Sequence, residues 1–175
     1  MSIKPAQKPV APTTTKGKEM VDDDIRLSPH FKLSELCVTN NKLYKQKNLE
    51  YGRTIKTRLE DLADFLEKVR DVCGCPLLVT SGVRCPELNA AVGGAKTSQH
   101  LSGHAADFIP QGKETIQSVF CRIYDSHLIY DELILEEVGN KIWIHISFVG
   151  MTGRRKALYY NGKKYVTYNR NQTKG

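Results

Sequence analysis

Two histidines and an aspartate lie close together in the stretch SQHLSGHAADF, residues 98–108, in a chain that has five histidines in all. His100 precedes Asp107 by seven residues, and small residues lie between them. Small residues allow the backbone to turn back, so that both side chains can reach one point. The stretch is therefore either part of a metal site or a turn that carries two surface histidines.

A third histidine lies in KIWIHISF, residues 141–148, whose composition is typical of a β-strand. Side chains alternate along a strand, so Trp143, His145 and Ser147 share one face, and the isoleucines share the other with Phe148. The isoleucine face belongs in the core, which leaves His145 on the wall of a cleft. It would complete a His-Asp-His set, and three protein ligands with a fourth position for water are typical of catalytic zinc. Such a zinc ion lowers the pKa of its water to about 7 and polarises a carbonyl group.

The elements that must position these residues follow from hydrophobic periodicity. Apolar residues recur at three- and four-residue steps over roughly 49–72, which predicts one long helix. Ser34 is a candidate cap of a short helix before it, and Asn161-Gly162 predicts a hairpin turn. The other predictions are helices at 86–93 and 113–127, strands at 75–82, 104–110, 131–137 and 141–148, and a hairpin at 157–168. Helices first and strands late predict a small single α+β domain, with helices packed on an antiparallel sheet.

Length and composition place one domain in the 175 residues. Residues 1–24 are typical of a disordered leader, residues 25–150 of a folded domain, and residues 151–175 of a basic hairpin and tail continuous with that domain. The five cysteines are an odd number, which argues against a disulfide framework. No stretch approaches the roughly 20 apolar residues of a membrane span, and the N-terminus lacks the apolar core of a secretory signal. We therefore expect a protein that is cytoplasmic at synthesis.

The net charge of +7 belongs to one end of the chain. Residues 149–175 contain no acidic residue and seven basic ones: Arg154, Arg155, Lys156, Lys163, Lys164, Arg170 and Lys174. This end could face a polyanion such as nucleic acid or an anionic cell wall, or it could form a solvated surface. The hairpin mixes tyrosines with lysines, a combination that can stack on bases. Nothing in residues 25–148 supports nucleic-acid binding.

Two long stretches resemble a known family. SGVRCPELNAAVGGAKTSQHLSGHAADF, residues 81–108, and the later WIHISF closely resemble the zinc D-Ala-D-Ala carboxypeptidase family, peptidase family M15. LSPHFKLSEL, residues 27–36, resembles the opening of the phage and bacterial cell-wall branch. The resemblance covers roughly residues 27–148 and implies a zinc peptidase domain over 25–150. It also implies the fold shared by these peptidases and the hedgehog signalling domain.

The resemblance assigns roles residue by residue. It implies that His100, Asp107 and His145 bind Zn²⁺, since they match the S-x-H, A-A-D and W-I-H-x-S motifs. It implies that Arg84, in the S-G-x-R motif, contacts the substrate and polarises the scissile carbonyl. Ser98 lies in the same motif as His100 and is expected to contact the substrate or a metal ligand.

The general base is the point at which this chain departs from many relatives. They carry Glu or Asp three residues before the last zinc histidine, where this chain has Ile142. In the closer branch a glutamate ends the preceding strand, and DELILE matches that pattern with Glu136. We expect Glu136 to be the base, with Asp131 in reserve. Trp143 is either a core residue or the floor of a substrate cleft, and His104 is not expected to be a ligand.

The resemblance implies a zinc metallopeptidase that cleaves peptide bonds in peptidoglycan stem peptides or cross-links. The missing export signal fits a phage-type endolysin, which reaches the cell wall or periplasm after release. The alternative is a non-catalytic, zinc-containing wall-binding or virion structural module, to which Ile142 gives some weight. We expect a monomer whose partner is a peptidoglycan peptide. The bond that is cut, whether D-Ala-D-Ala, a cross-link or L-Ala-D-Glu, stays open.

Overall fold

The computed structural model of the protein describes residues 25–170, so the predicted leader at 1–24 and residues 171–175 lie outside the described residues. The helices are α1 Leu33–Leu36, α2 Lys45–Thr54, α3 Lys56–Cys73, α4 Pro86–Ala91 and α5 Ile116–Asp125. The strands are β1 Leu77–Ser81, β2 Ala105–Pro110, β3 Glu132–Val138, β4 Lys141–Ser147, β5 Lys156–Tyr160 and β6 Tyr165–Thr167. The predicted α+β class is confirmed, with helices packed on one sheet.

The six described strands form one sheet in the order β1-β2-β4-β3-β5-β6. Every neighbouring pair is antiparallel except β3 and β5, which are parallel. The predicted antiparallel sheet is confirmed except at this pair, which is parallel because the chain after β4 passes the start of β3 before β5 begins. Gly153 permits this passage, since a Cβ atom there would lie 2.5 Å from the carbonyl oxygen of Tyr130.

The predicted long helix is two helices, α2 and α3, which meet at Ile55. At Ile55 the backbone leaves helical geometry, with φ −119° and ψ 28°. The side chain of Ile55 lies against Gly103 in the loop that leads to β2. The expected cap at Ser34 was wrong, because α1 begins earlier: the Glu35 carboxylate accepts the backbone N–H of Lys32 at 2.8 Å.

One face of the sheet packs on α3 and α5 to form the core. From the sheet it buries Phe108, Ile144 and Ile146 completely, and from α3 it buries residues such as Leu62 and Leu66. Burial of each such side chain stabilises the fold by about 2 kcal/mol. The isoleucines of β4 therefore lie in the core, as their alternation predicted, and the opposite face of β4 is left for a site.

The apolar face of α3 follows its predicted periodicity, and the helix ends at Gly74, whose φ of 67° is the left-handed conformation that glycine adopts readily. Among residues 25–170, no helix is both long and apolar enough to cross a membrane.

Candidate metal centre

Strand pairing brings Asp107 and His145 together. They are direct partners in the antiparallel ladder of β2 and β4, and paired residues project from the same face of a sheet. The face that they share is opposite the core face of Phe108 and Ile144. A register shift of one residue would exchange the two faces, so the packing of the core also fixes the position of these two side chains.

His100 reaches the same point from the loop after α4. Its Nδ1 lies 2.6 Å from the carbonyl oxygen of Gly82, which can only accept a hydrogen bond. Nδ1 is therefore the donor, and Nε2 keeps its lone pair for a metal ion. The backbone of Gly82 also packs closely on α1, because a Cβ there would lie 2.2 Å from the carbonyl oxygen of Leu36.

The three side chains form a compact triangle of ligand atoms. Asp107 Oδ1 lies 2.8 Å from His145 Nδ1 and 3.2 Å from His100 Nε2, and the two histidine nitrogens are 3.3 Å apart. Ligand atoms at zinc bond lengths of 2.0–2.1 Å in a tetrahedron are separated by about 3.3 Å. All three residues are buried. The donor set and its spacing therefore fit a divalent metal ion.

The electrostatics of the triangle suit a cation. Burial lowers the pKa of His100 and so favours the neutral imidazole that binds metals. Burial alone would raise the pKa of Asp107, but attraction to His100 and hydrogen bonds with both histidines hold it well below its usual range. Burial alone would lower the pKa of His145, but the hydrogen bond with Asp107 outweighs burial and leaves that pKa raised. The site is therefore a charged carboxylate flanked by two imidazoles.

Arg84 holds the second oxygen of the aspartate. Its Nη2 donates to Asp107 Oδ2 at 2.7 Å, and its Nε donates to Ser81 Oγ at 2.8 Å. Oδ1 is thereby left facing the histidines. The guanidinium also lines the cleft beside the triangle. The predicted substrate-contacting arginine is thus brought to the site, where its observed contact is to Asp107 of the triangle.

Glu136 lines the same cleft. It is the direct partner of Trp143 across β3 and β4, and the two lie on the face that carries His145. Burial, and then the charge of Asp107, raise the pKa of Glu136 to about 7, although His145 and Arg84 oppose the shift. A carboxyl group with this pKa can both accept and donate a proton near neutral pH.

Asp131 has different surroundings. Arg154 donates from Nε to Oδ1 at 2.8 Å and from Nη2 to Oδ2 at 2.6 Å, and Gln99 donates to Oδ2 at 2.8 Å. The hydrogen bonds from Arg154 lower the pKa of Asp131 to about 2. Both oxygens are occupied, so this carboxylate is a poor proton acceptor. Its contacts instead connect the start of β3 to the chain before β5.

The remaining predicted residues are also placed. Ser98 lines the cleft, and its Oγ accepts the backbone N–H of His100 at 3.4 Å. Trp143 is partly exposed and lines the cleft, outside the core cluster. His104 lies apart from the triangle, and its Nδ1 is 2.9 Å from Ser102 Oγ.

The cleft has a volume of about 760 Å³, and its wall includes residues that sequence reasoning missed. These come from the C-terminal segment: Arg154, Lys156, Leu158 and Tyr165. They reach the cleft because β5 pairs with β3, so the segment lies beside Glu136. A pattern of alternating residues identifies a hairpin but not the strand on which it packs, so no local signal could have placed them.

A model of a known protein family matches most of this region. The Peptidase M15 model matches residues 29–147, which include His100, Asp107, His145, Arg84 and Glu136 and end before β5. No curated protein matches the chain. The matched segment is more than half of the sequence. The chain therefore belongs to the peptidase M15 family, a family of metallopeptidases.

Proposed function

We propose that this protein is a zinc-dependent peptidase that cleaves peptide bonds in peptidoglycan stem peptides or cross-links, in the manner of a phage endolysin. The observation that carries the proposal is the buried triangle of His100, Asp107 and His145, which meets a cleft also lined by Glu136. Family membership supplies the peptidase class. The resemblance of residues 81–108 and WIHISF to cell-wall peptidases supports the choice of peptidoglycan.

Two imidazoles and one carboxylate form a donor set typical of catalytic zinc. When bound there, zinc supplies a Lewis acid that polarises a carbonyl group and acidifies a water molecule. The residues around it have separate tasks. Arg84 orients Asp107 and places positive charge beside the position at which negative charge develops on the carbonyl oxygen.

Proton transfer is assigned to Glu136. A base must take a proton from the attacking water and pass it to the leaving amine, which requires a carboxyl group that changes its protonation state readily. A pKa raised to about 7 fits this requirement. Asp131 fits it poorly, since Arg154 and Gln99 occupy its oxygens.

The second candidate is a zinc-containing binding module without catalysis. One observation favours it: the position three residues before His145 is Ile142, which packs against the core and cannot move a proton. Against it, Glu136 lies in the cleft with the triangle and supplies the missing carboxylate from the neighbouring strand. We therefore place the enzyme first.

The test is digestion of purified peptidoglycan, with mass spectrometry of the released fragments and zinc content measured in parallel. Wild type is compared with Glu136→Ala and His145→Ala. The proposal expects a defined fragment from wild type alone, full zinc occupancy in Glu136→Ala, and reduced occupancy in His145→Ala. Wild type that is fully loaded with zinc and releases nothing from any wall chemotype would support the binding module instead.

A further inference from the structure

The C-terminal hairpin forms one wall of the cleft, although it lies beyond the family-matched segment at 29–147. In the sheet Glu136 pairs with Tyr160 of β5, and Tyr160 pairs with Tyr165 of β6. Residues paired in this way project from the same face. Both tyrosines therefore lie on the face that carries Glu136, in a row that continues away from the triangle.

The two tyrosines are stacked and face outward. Their ring centroids are 4.4 Å apart with an interplanar angle of 27°, and Tyr165 is 55% exposed. The other two tyrosines of the hairpin region behave differently, because Tyr159 and Tyr168 pack on the core. Packing on the core therefore accounts for the presence of two of these four tyrosines, and the stacked pair needs another explanation. The stacked pair is an exposed apolar surface at the edge of the cleft.

The turn of the hairpin adds polar groups next to this surface. Asn161 Oδ1 accepts the backbone N–H groups of Lys163 at 3.1 Å and Lys164 at 3.0 Å, which braces the turn. Both lysines are exposed, and neither side chain has an ionic partner among residues 25–170. An exposed aromatic face matches the apolar ring face of a sugar, and exposed lysines in the adjoining turn can supply hydrogen-bond donors for its rim of oxygen atoms.

We propose that the hairpin is a glycan subsite, in which Tyr165, backed by Tyr160, stacks on a sugar ring of the strand to which the stem peptide is attached. Lys163 and Lys164 donate hydrogen bonds to the hydroxyl and carbonyl oxygens of that sugar. This inference rests on the proposed function, because a stem peptide that lies across the triangle and Glu136 is joined to its glycan at one end. The continuous face then accommodates both parts of one substrate.

The test compares two soluble substrates with the same stem peptide, one free and one attached to its disaccharide. Loss of one stacked ring weakens binding by about 0.5–1.5 kcal/mol, which corresponds to about twofold to twelvefold in affinity. Tyr165→Ala should therefore raise KM for the disaccharide-peptide by this factor, with kcat unchanged and with no effect on the free peptide. The double variant Lys163→Gln/Lys164→Gln should raise the same KM about twofold to threefold.

Tyr159→Phe is the matched control, since it lies in the same hairpin on the opposite face and loses only a hydroxyl that donates to Glu137. It should leave both KM values unchanged. Zinc content and Tm, measured for every variant, separate a loss of binding from a loss of folding. Tyr165→Phe keeps the stacking ring and should retain most of the affinity for the disaccharide-peptide.

An equal rise of KM for both substrates would mean that Tyr165 holds the peptide, and it would overturn the glycan subsite. No change for either substrate would overturn it as well. If zinc-loaded wild type cleaves neither substrate, the proposed function fails, and saturation-transfer NMR with the disaccharide then tests the hairpin alone. A transfer signal that Tyr165→Ala abolishes supports the subsite, and no signal with wild type contradicts it.

Discussion

Asp107 and His145 face each other across β2 and β4, with Asp107 Oδ1 2.8 Å from His145 Nδ1. The same ladder buries Phe108 and Ile144 on the opposite side of the sheet. One register thus positions two residues of the triangle and two core residues at once. The third residue of the triangle, His100, depends on a separate contact with Gly82. Arg84 holds Asp107 and Gly82 holds His100, so the centre has two structural supports that can be tested independently.

The first support is the guanidinium of Arg84, which fixes Asp107 Oδ2. Arg84→Lys keeps the positive charge but loses the planar guanidinium, which donates hydrogen bonds to Asp107 and Ser81 at the same time. Contacts of this kind to a ligand residue are worth about 10–100-fold in metal affinity. We expect the zinc Kd, measured by competition with a chelator, to rise by this factor. The exposed Lys68→Ala on α3 is the control, and an unchanged Kd in Arg84→Lys would contradict the assignment.

The second support is Gly82. In Gly82→Ala the new Cβ would lie 2.2 Å from the backbone oxygen of Leu36, so the backbone must move and the contact with His100 is disturbed. We expect a loss of about 1–3 kcal/mol in the free energy of unfolding, together with weaker zinc binding. Gly112→Ala is the control, because its Cβ would meet Cys75 at an ordinary 3.4 Å. Equal stability of the two variants would show that the close approach at Gly82 is unimportant.

The assigned base gives a prediction about rate. Glu136→Gln keeps the shape of the side chain and removes proton transfer, so kcat should fall by a factor of about 100 to 10,000. Zinc content should stay at the wild-type level, since Glu136 is outside the triangle of ligand atoms. Steady-state kinetics on a soluble stem peptide measure the change. A kcat within twofold of wild type would assign the base elsewhere.

Asp131 gives a prediction about pH and stability. Its pKa is lowered from 3.8 to about 2 by Arg154, so its contribution is present above about pH 4 and is lost as the pH falls towards 2. Arg154 is largely exposed, which limits the contribution to about 1 kcal/mol. Urea unfolding should show Asp131→Asn to be less stable than wild type at pH 7, with a gap that narrows as the pH falls below 4. A constant gap for Asp131→Asn would contradict the ion-pair explanation.

The proposed zinc site also predicts how the stability of the protein responds to metal. An ion that binds only the folded protein stabilises it by about 4 kcal/mol at a free concentration a thousandfold above Kd. Calorimetry should therefore show a lower Tm after chelation and recovery after zinc is returned. In His100→Ala the response to zinc should be greatly reduced. A Tm that is independent of zinc in wild type would argue against the triangle as a metal site.

Much of the fold was predictable because local patterns report local structure. The alternation in KIWIHISF placed Ile144 in the core and His145 on the other face, and the structure agrees. The apolar periodicity of α3 was an equally local signal. The triangle required more than periodicity, since the meeting of His100 with the two strands was inferred from small residues and from a family resemblance.

The features that escaped prediction depend on contacts between distant parts of the chain. At the break between α2 and α3 the Ile55 side chain lies against Gly103 of a distant loop, and periodicity within a helix does not report such a contact. The parallel pairing of β5 with β3 depends on the path of the connection that passes Tyr130. That pairing carries Arg154 to Asp131, and it carries the stacked tyrosines to the cleft.

The most direct test of the central claim is metal-dependent release of peptide fragments from purified peptidoglycan. The same protein preparation is assayed with zinc bound, after complete chelation, and after zinc is restored. We expect cleavage in the first and third states and none in the second. Cleavage that persists without metal, or a fully zinc-loaded protein that releases no fragment, would contradict the claim.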